Sequence, residues 1–262
     1  MAGKGRSNHR DAARAEETVA AAFDGKAGSY QLTRHVDPAF QEEERRILQM
    51  LGTVPGLILE VGCGVGVTSL RLAHDGWKVI ATDLSLEMLM RVRENSSRTG
   101  TPLVGVVRCD VQNLPFRAGT LHAILSHGVL EYVPDIPASV REMERAMEPG
   151  GFVVTTIPNR LAPARWIGLL LGLVSRFRAM LARRTVQRVT GEHLYPWRLD
   201  NLCSRSGLVK REGAIETFSF LPLDYFPRRL LTICNRIVSA LPRVWLFRWW
   251  GTQYIARYDK AN

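Results

Sequence analysis

Cysteine is scarce in this 262-residue chain: Cys63, Cys109, Cys203 and Cys234 lie scattered, with no C-x-x-C pair. That spacing excludes a clustered zinc site and a disulfide framework, and it points to a reducing, cytoplasmic setting. Long apolar runs are also missing, and none approaches the roughly 18 residues of a membrane-spanning helix. The opening stretch MAGKGRSNHRDAARAEE has no apolar core of the signal-peptide kind, and residues 1–18 are expected to be disordered. Acidic residues are short in one half only. Residues 160–262 hold 6 Asp/Glu against 18 Lys/Arg, a balance of +12, whereas residues 1–159 hold 19 against 17, a balance of −2. A basic second half implies an anionic partner there. With 46% hydrophobic residues, the chain can still bury one substantial core.

What is present is organised around residues 57–66, LILEVGCGVG. Leu57, Ile58, Leu59 and Val61 make the short apolar run of a strand buried on both faces. Gly62, Gly64 and Gly66 follow at alternate positions, and Val67 to Ala73 reads as a helix. Without a Cβ, such a turn lets backbone approach a ligand closely. A dinucleotide fingerprint would need glycine at position 67, where Val67 stands. The pattern E-x-G-x-G-x-G, with Glu60 leading, instead resembles the S-adenosylmethionine loop of the class I methyltransferases. A carboxylate beside phosphates gains nothing, whereas the ammonium of an aminoacyl-sulfonium cofactor welcomes one.

The downstream segments extend that resemblance. Lys78 to Thr82 reads as a second strand ending at Asp83, placed to accept hydrogen bonds from a ribose diol or to cap a helix over residues 84–95. Asp83-Leu84-Ser85 resembles the family's D-x-S pattern, which lays Leu84 against the adenine. The phrase CDVQNLPF after a third strand (103–108) resembles the third cofactor motif, assigning Asp110 and Val111 to the adenine. Asp110 also suits a simple Asx turn. A fourth strand, Leu121 to Ser126, brings Ser126 to the cofactor side and runs into His127-Gly128-Val129-Leu130-Glu131-Tyr132. The N-P-P-Y of enzymes that methylate nucleobase amines is absent. The segment is closer to the "LEHV" small-molecule enzymes, with Tyr132 where histidine is common. Val140 to Met147 reads as a helix, Phe152 to Thr156 as the fifth strand, 199–206 as a helix, and 213–220 and 253–258 as the last two strands. FDGKAGSY (23–30) resembles an N-terminal lid, in which Tyr30 either closes over the cofactor or packs on the surface.

The resemblance implies an α/β fold: a doubly wound, mostly parallel seven-stranded sheet with helices on both faces and helical insertions after strands five and six. The cofactor-binding core is expected over 19–159, a basic amphipathic cap over 160–194, and the rest of the core over 195–262 with a second insertion at 221–250. Residues 164–188 and 228–250 set Trp166, Trp245, Trp249 and Trp250 among arginines at helical spacing. This suits either a cap over the crevice or a face resting on an anionic membrane surface. The implied cofactor set is Glu60, Gly62, Cys63, Gly64 and Gly66 at the methionine end, Asp83 at the ribose and Asp110 at the adenine. A hydroxyl acceptor needs a base, for which His127 and His193 are the candidates. No metal site is expected. The implied activity is methyl transfer from S-adenosyl-L-methionine to a small or lipid-like acceptor, at oxygen or carbon. The rivals are an RNA methyltransferase or binder using the basic half, and an inactive, membrane-associated partner of the same fold.

Overall fold

A computed structural model describes residues 17–25, 38–53, 56–162, 194–216 and 251–261. Tyr30, His193 and the two amphipathic stretches at 164–188 and 228–250 lie outside the described residues. A helix over residues 17–24 (α1) takes in residues 17 and 18 of the stretch expected to be disordered. The order thereafter is α2 (Pro38–Leu51), β1 (Leu57–Val61), α3 (Val67–His74), β2 (Lys78–Asp83), α4 (Leu86–Thr99), β3 (Gly105–Arg108), β4 (Leu121–Ser126), α5 (Ile136–Ala146), β5 (Met147–Pro158), α6 (Pro196–Arg205), β6 (Leu208–Glu216) and β7 (Gln253–Lys260).

The seven strands form one sheet in the order β3-β2-β1-β4-β5-β7-β6. The contiguous apolar residues of β1 put it at the heart of that sheet, parallel to β2 on one side and β4 on the other. Among the described strands only β7 runs against its neighbours, pairing antiparallel with both β5 and β6. The fold is thus the mostly parallel, doubly wound sheet expected. Apolar side chains from the two faces feed separate cores. One packs Leu59, Leu121 and Val153 under α5 and α6; the other packs Ile58, Val79 and Leu125 under α2 and Trp77.

Several boundaries differ from the sequence expectation. Helix α4 is capped by Ser85, whose Oγ accepts from Met88 N at 3.1 Å, so Asp83 is released from the capping role. Helix α5 begins at Ile136, four residues earlier than expected. Asp135 accepts from Ala138 N at 2.9 Å, and the proline in the first turn has no N–H to satisfy. Strand β5 reaches back to Met147 through Pro149-Gly150-Gly151. The step from Leu121 to Ala123 on β4 faces the step from Met147 to Phe152, so the glycines form a bulge. A Cβ on Gly151 would stand 2.9 Å from two backbone oxygens, those of Glu148 and His122. Strand β6 begins at Leu208, not residue 213.

Two polar junctions hold the later half together. Tyr254 Oη and Tyr258 Oη donate to Asp200 Oδ1 at 2.7 and 2.6 Å, and Lys210 Nζ donates to Asp200 Oδ2 at 2.8 Å, which clamps α6 onto β6 and β7. Burial, first, and the Asp200 carboxylate push the Tyr254 hydroxyl well above its usual range, so it remains a donor. At the end of β5, the fully buried Asn159 donates through Nδ2 to Gly251 O at 2.7 Å and through its backbone N to Thr252 O at 2.8 Å. Its Oδ1 accepts from Leu161 N at 3.0 Å, and it bridges to Leu194. No helix among the described residues is long and apolar enough to cross a membrane.

Candidate functional site

In an open parallel sheet, the crevice beyond the carboxyl ends of the strands lies where strand order reverses. Here β1 ends between β2 and β4, and a cleft of about 770 Å³, open mouth included, occupies that position. Gly62, Gly64, Asp83, Leu84, Asp110, Val111 and His127 of the sequence-derived set all line it.

The floor is the glycine turn. Gly62 adopts φ +61°, and a Cβ there would meet Val129 Cγ2 at 2.4 Å, so both backbone conformation and the loop after β4 demand glycine. Gly64 N donates to Asp83 Oδ2 at 2.9 Å, and Ser85 N donates to Asp83 Oδ1 at 2.9 Å. The Asp83 carboxylate is therefore aimed by backbone on both oxygens yet keeps lone pairs for a ligand. Burial raises its pKa above the usual carboxylate value, and the amide donors only partly oppose that. Asp110 does what an Asx residue does while also lining the cleft. Its oxygens accept from Gln112 N at 2.9 Å and Gln112 Nε2 at 2.8 Å, and Gln112 Oε1 accepts from Asp135 N at 3.0 Å.

Four of the predicted cofactor residues stand behind the cleft. Alternation along β1 turns Val61 into the cleft and Glu60 away from it, where the Glu60 carboxylate accepts from Ser69 Oγ of α3. Thr82 Oγ1 donates to Glu60 O at 2.9 Å, so this strand tip braces the glycine turn from beneath. Cys63 and Gly66 sit in the turn without lining the cleft; Cys63 is buried and its thiol is pushed well up by burial and by Glu60 and Asp83. Ser126 is wholly buried beside Val61 and Thr155.

The opposite wall is less legible in sequence. Helix α1 lays Val19 and Phe23 on the cleft, and Phe23 meets Tyr132 edge-on with ring centroids 5.3 Å apart. Asp24 anchors α1 by accepting from Ser85 Oγ and from Glu87 N, at the start of α4. Apolar Leu84, Met88 and Val111 face the same space. The thiol of Cys109, also on the cleft, is pushed up to about 11 by burial, so it stays protonated and unreactive there.

His127 is the one sequence-derived base among the described residues. The residue is 8% exposed, and its ring stacks on Phe40 at 5.1 Å and places Nε2 3.2 Å from Glu43 Oε2. Among the described residues no cluster of three or more His, Cys, Asp or Glu is gathered to hold a metal ion.

These residues fit an adenosyl-sulfonium ligand: a carboxylate aimed by two amides for a diol, an apolar slot for a flat ring, and glycine backbone where a Cβ would collide. Residues 59–155 match a family model described as a methyltransferase domain. The chain is 28% identical over 157 residues to a ubiquinone biosynthesis O-methyltransferase of Sodalis glossinidius, covering 60% of this chain and 61% of that protein. It is 35% identical over 137 residues to a demethylmenaquinone methyltransferase of Corynebacterium urealyticum, covering 51% and 56% respectively. The chain thus spans between 34% and 61% of the length of the curated relatives it matches. A solved S-adenosylmethionine-dependent methyltransferase of Mesorhizobium loti superposes with a TM-score of 0.58 at 19% identity, covering 87% of this chain and all of that one.

Proposed function

We propose, on the premise that residues 59–155 are a methyltransferase domain of the class I fold, that this chain transfers a methyl group from S-adenosyl-L-methionine to a small, lipid-like acceptor at oxygen or carbon. The observation that carries this reading is the Asp83 carboxylate, aimed into the cleft by Gly64 N and Ser85 N at 2.9 Å each. When bound, the cofactor supplies an electrophilic methyl group on a sulfonium. Asp83 would accept from the ribose hydroxyls, Leu84, Met88 and Val111 would pack against the adenine, and the glycine turn would receive the aminoacyl end. Glu60 acts from behind by bracing that turn. Phe23 and Tyr132, in edge contact at 5.3 Å, line the same cleft and would pack against a bound acceptor. For a hydroxyl acceptor, His127 takes the proton.

The acceptor class follows from two supports. Apolar Val19, Phe23, Val129 and Val133 line the cleft together with the His127 imidazole, and the two curated relatives named above are described as a ubiquinone biosynthesis O-methyltransferase and a demethylmenaquinone methyltransferase. Peripheral contact with an anionic membrane through 164–188 and 228–250, in a cytoplasmic setting, belongs to the same proposal and rests on composition: 18 basic residues against 6 acidic over 160–262. The test incubates the full chain with methyl-labelled cofactor and fractionated cell extract. Label in the lipid-soluble fraction is the expected result. Label in RNA, or no calorimetric binding of the cofactor, overturns the reading.

A further inference from the structure

Helix α2 presents Phe40, Ile47 and Met50 inward at helical spacing, all of them buried. Glu43 falls on that same stripe and is itself only 8% exposed. A carboxylate on a buried stripe is costly unless it is paired, and an apolar residue would pack there at no such cost. Its Oε2 lies 3.2 Å from His127 Nε2, while Phe40, three residues earlier, stacks on the same imidazole with planes 9° apart. One turn of α2 therefore grips the ring on its face and at one nitrogen, although 84 residues separate Glu43 from His127.

We infer that Glu43 is a positioning residue that holds His127 in the tautomer protonated at Nε2, leaving Nδ1 as the ring's only basic atom. This rests on the reading of the cleft given above and adds the device that makes its base competent. A carboxylate accepts and cannot donate, so the Nε2 facing it must carry the proton. An acceptor hydroxyl then gives its proton to Nδ1 and its electron pair to the methyl carbon, while the pair of the broken C–S bond stays on sulfur. The imidazolium so formed has Glu43 already in place as its counter-charge. A base oriented by a third group is the arrangement that activates weak nucleophiles generally.

The test is the ¹⁵N spectrum of histidine-labelled full-length protein, at a pH where the His127 ring is neutral. The wild type is expected to show a protonated Nε2 and a bare Nδ1. Glu43→Leu is expected to lose that signature to averaged tautomers, and to cut label transfer to the lipid fraction at least tenfold. Its calorimetric affinity for S-adenosylhomocysteine should stay within twofold. A wild-type ring protonated at Nδ1, or a His127 signature in the Glu43→Leu variant unchanged from wild type, overturns the proposal. The wild-type spectrum decides even where the variant fails to fold. Absence of S-adenosylhomocysteine binding by the wild type would instead sink the methyltransferase reading and leave the tautomer result intact.

Discussion

Asp83 closes strand β2 and Asp200 sits on α6 against the β6–β7 wing, and the protein uses the two carboxylates differently. Asp200 is engaged by side chains on both oxygens: two tyrosine hydroxyls share one and a lysine takes the other. Asp83 is held by backbone amides at 2.9 Å on each oxygen, and it faces a cleft. Side-chain donors finish a carboxylate's work within the fold. Backbone donors aim it and leave capacity for something that arrives later. The antiparallel β7–β6 wing is accordingly a finished joint, and the parallel β1–β2–β4 wing is a socket.

Substitutions break that comparison in a defined order. Asp200→Ala strands two largely buried tyrosine hydroxyls, and loss of hydrogen bonds to a charged acceptor costs about 3 kcal/mol of stability in denaturant unfolding. Cofactor affinity, measured below the transition, should stay within twofold; a large loss there would show that the two wings are not independent. Asp83→Ala should do the opposite. Removing a charge-assisted pair of bonds to a diol costs about 2 kcal/mol of binding, a weakening of roughly 30-fold, with stability changed by less than about 1 kcal/mol. Unchanged calorimetric affinity would mean that Asp83 serves only the turn.

The pH dependence sharpens the contrast, because Asp83 carries two slopes of opposite sign. Its folded pKa is raised above the unfolded reference of 3.8. Between those values the folded state keeps a proton that the unfolded state has lost, so this group's contribution to stability falls as pH rises through the window. The diol prefers the ionised form, so cofactor affinity rises across the same window and levels off above the folded value. Calorimetry and denaturation at matched pH read both slopes, and parallel slopes would contradict the assignment. The smallest effect is expected from Ser85→Ala, which removes the α4 cap and a donor to Asp24 for about 1 kcal/mol of stability. It should weaken cofactor binding less than threefold, as loosened anchoring of α1.

The parts legible in sequence are those where one local rule suffices. The apolar runs of β1 and β4 and the acidic residues closing β2 and following β3 place the cleft and seven of its lining residues. The start of β6 is hidden because the strand lies at the sheet's margin, paired only with β7, where its residues need not be apolar: Val209 is 62% exposed and Lys210 and Arg211 follow it. The start of α5 is written in Asp135-Ile136-Pro137, a cap and a first-turn proline, a signal that the stronger apolar spacing of Val140 and Met143 overshadows. Proximity to the glycines suggests a ligand role for Glu60, whereas strand alternation turns it behind them. Gln112 and Glu43 carry no local signature. Glu43 acquires meaning only when tertiary packing sets it against His127, and its one sequence clue is a charge on a stripe otherwise apolar.

Asn159 has an architectural consequence. The described residues that flank 163–193 and 217–250 lie together around it: Leu194 bridges to it, Gly251 and Thr252 are bonded to it, and Glu216 pairs with Gln253 beside them. Two segments whose flanks share one mooring can be exchanged as cassettes, with splice points that leave every strand in register. A graft of those segments onto a foreign sheet would then carry over only what the segments themselves contribute.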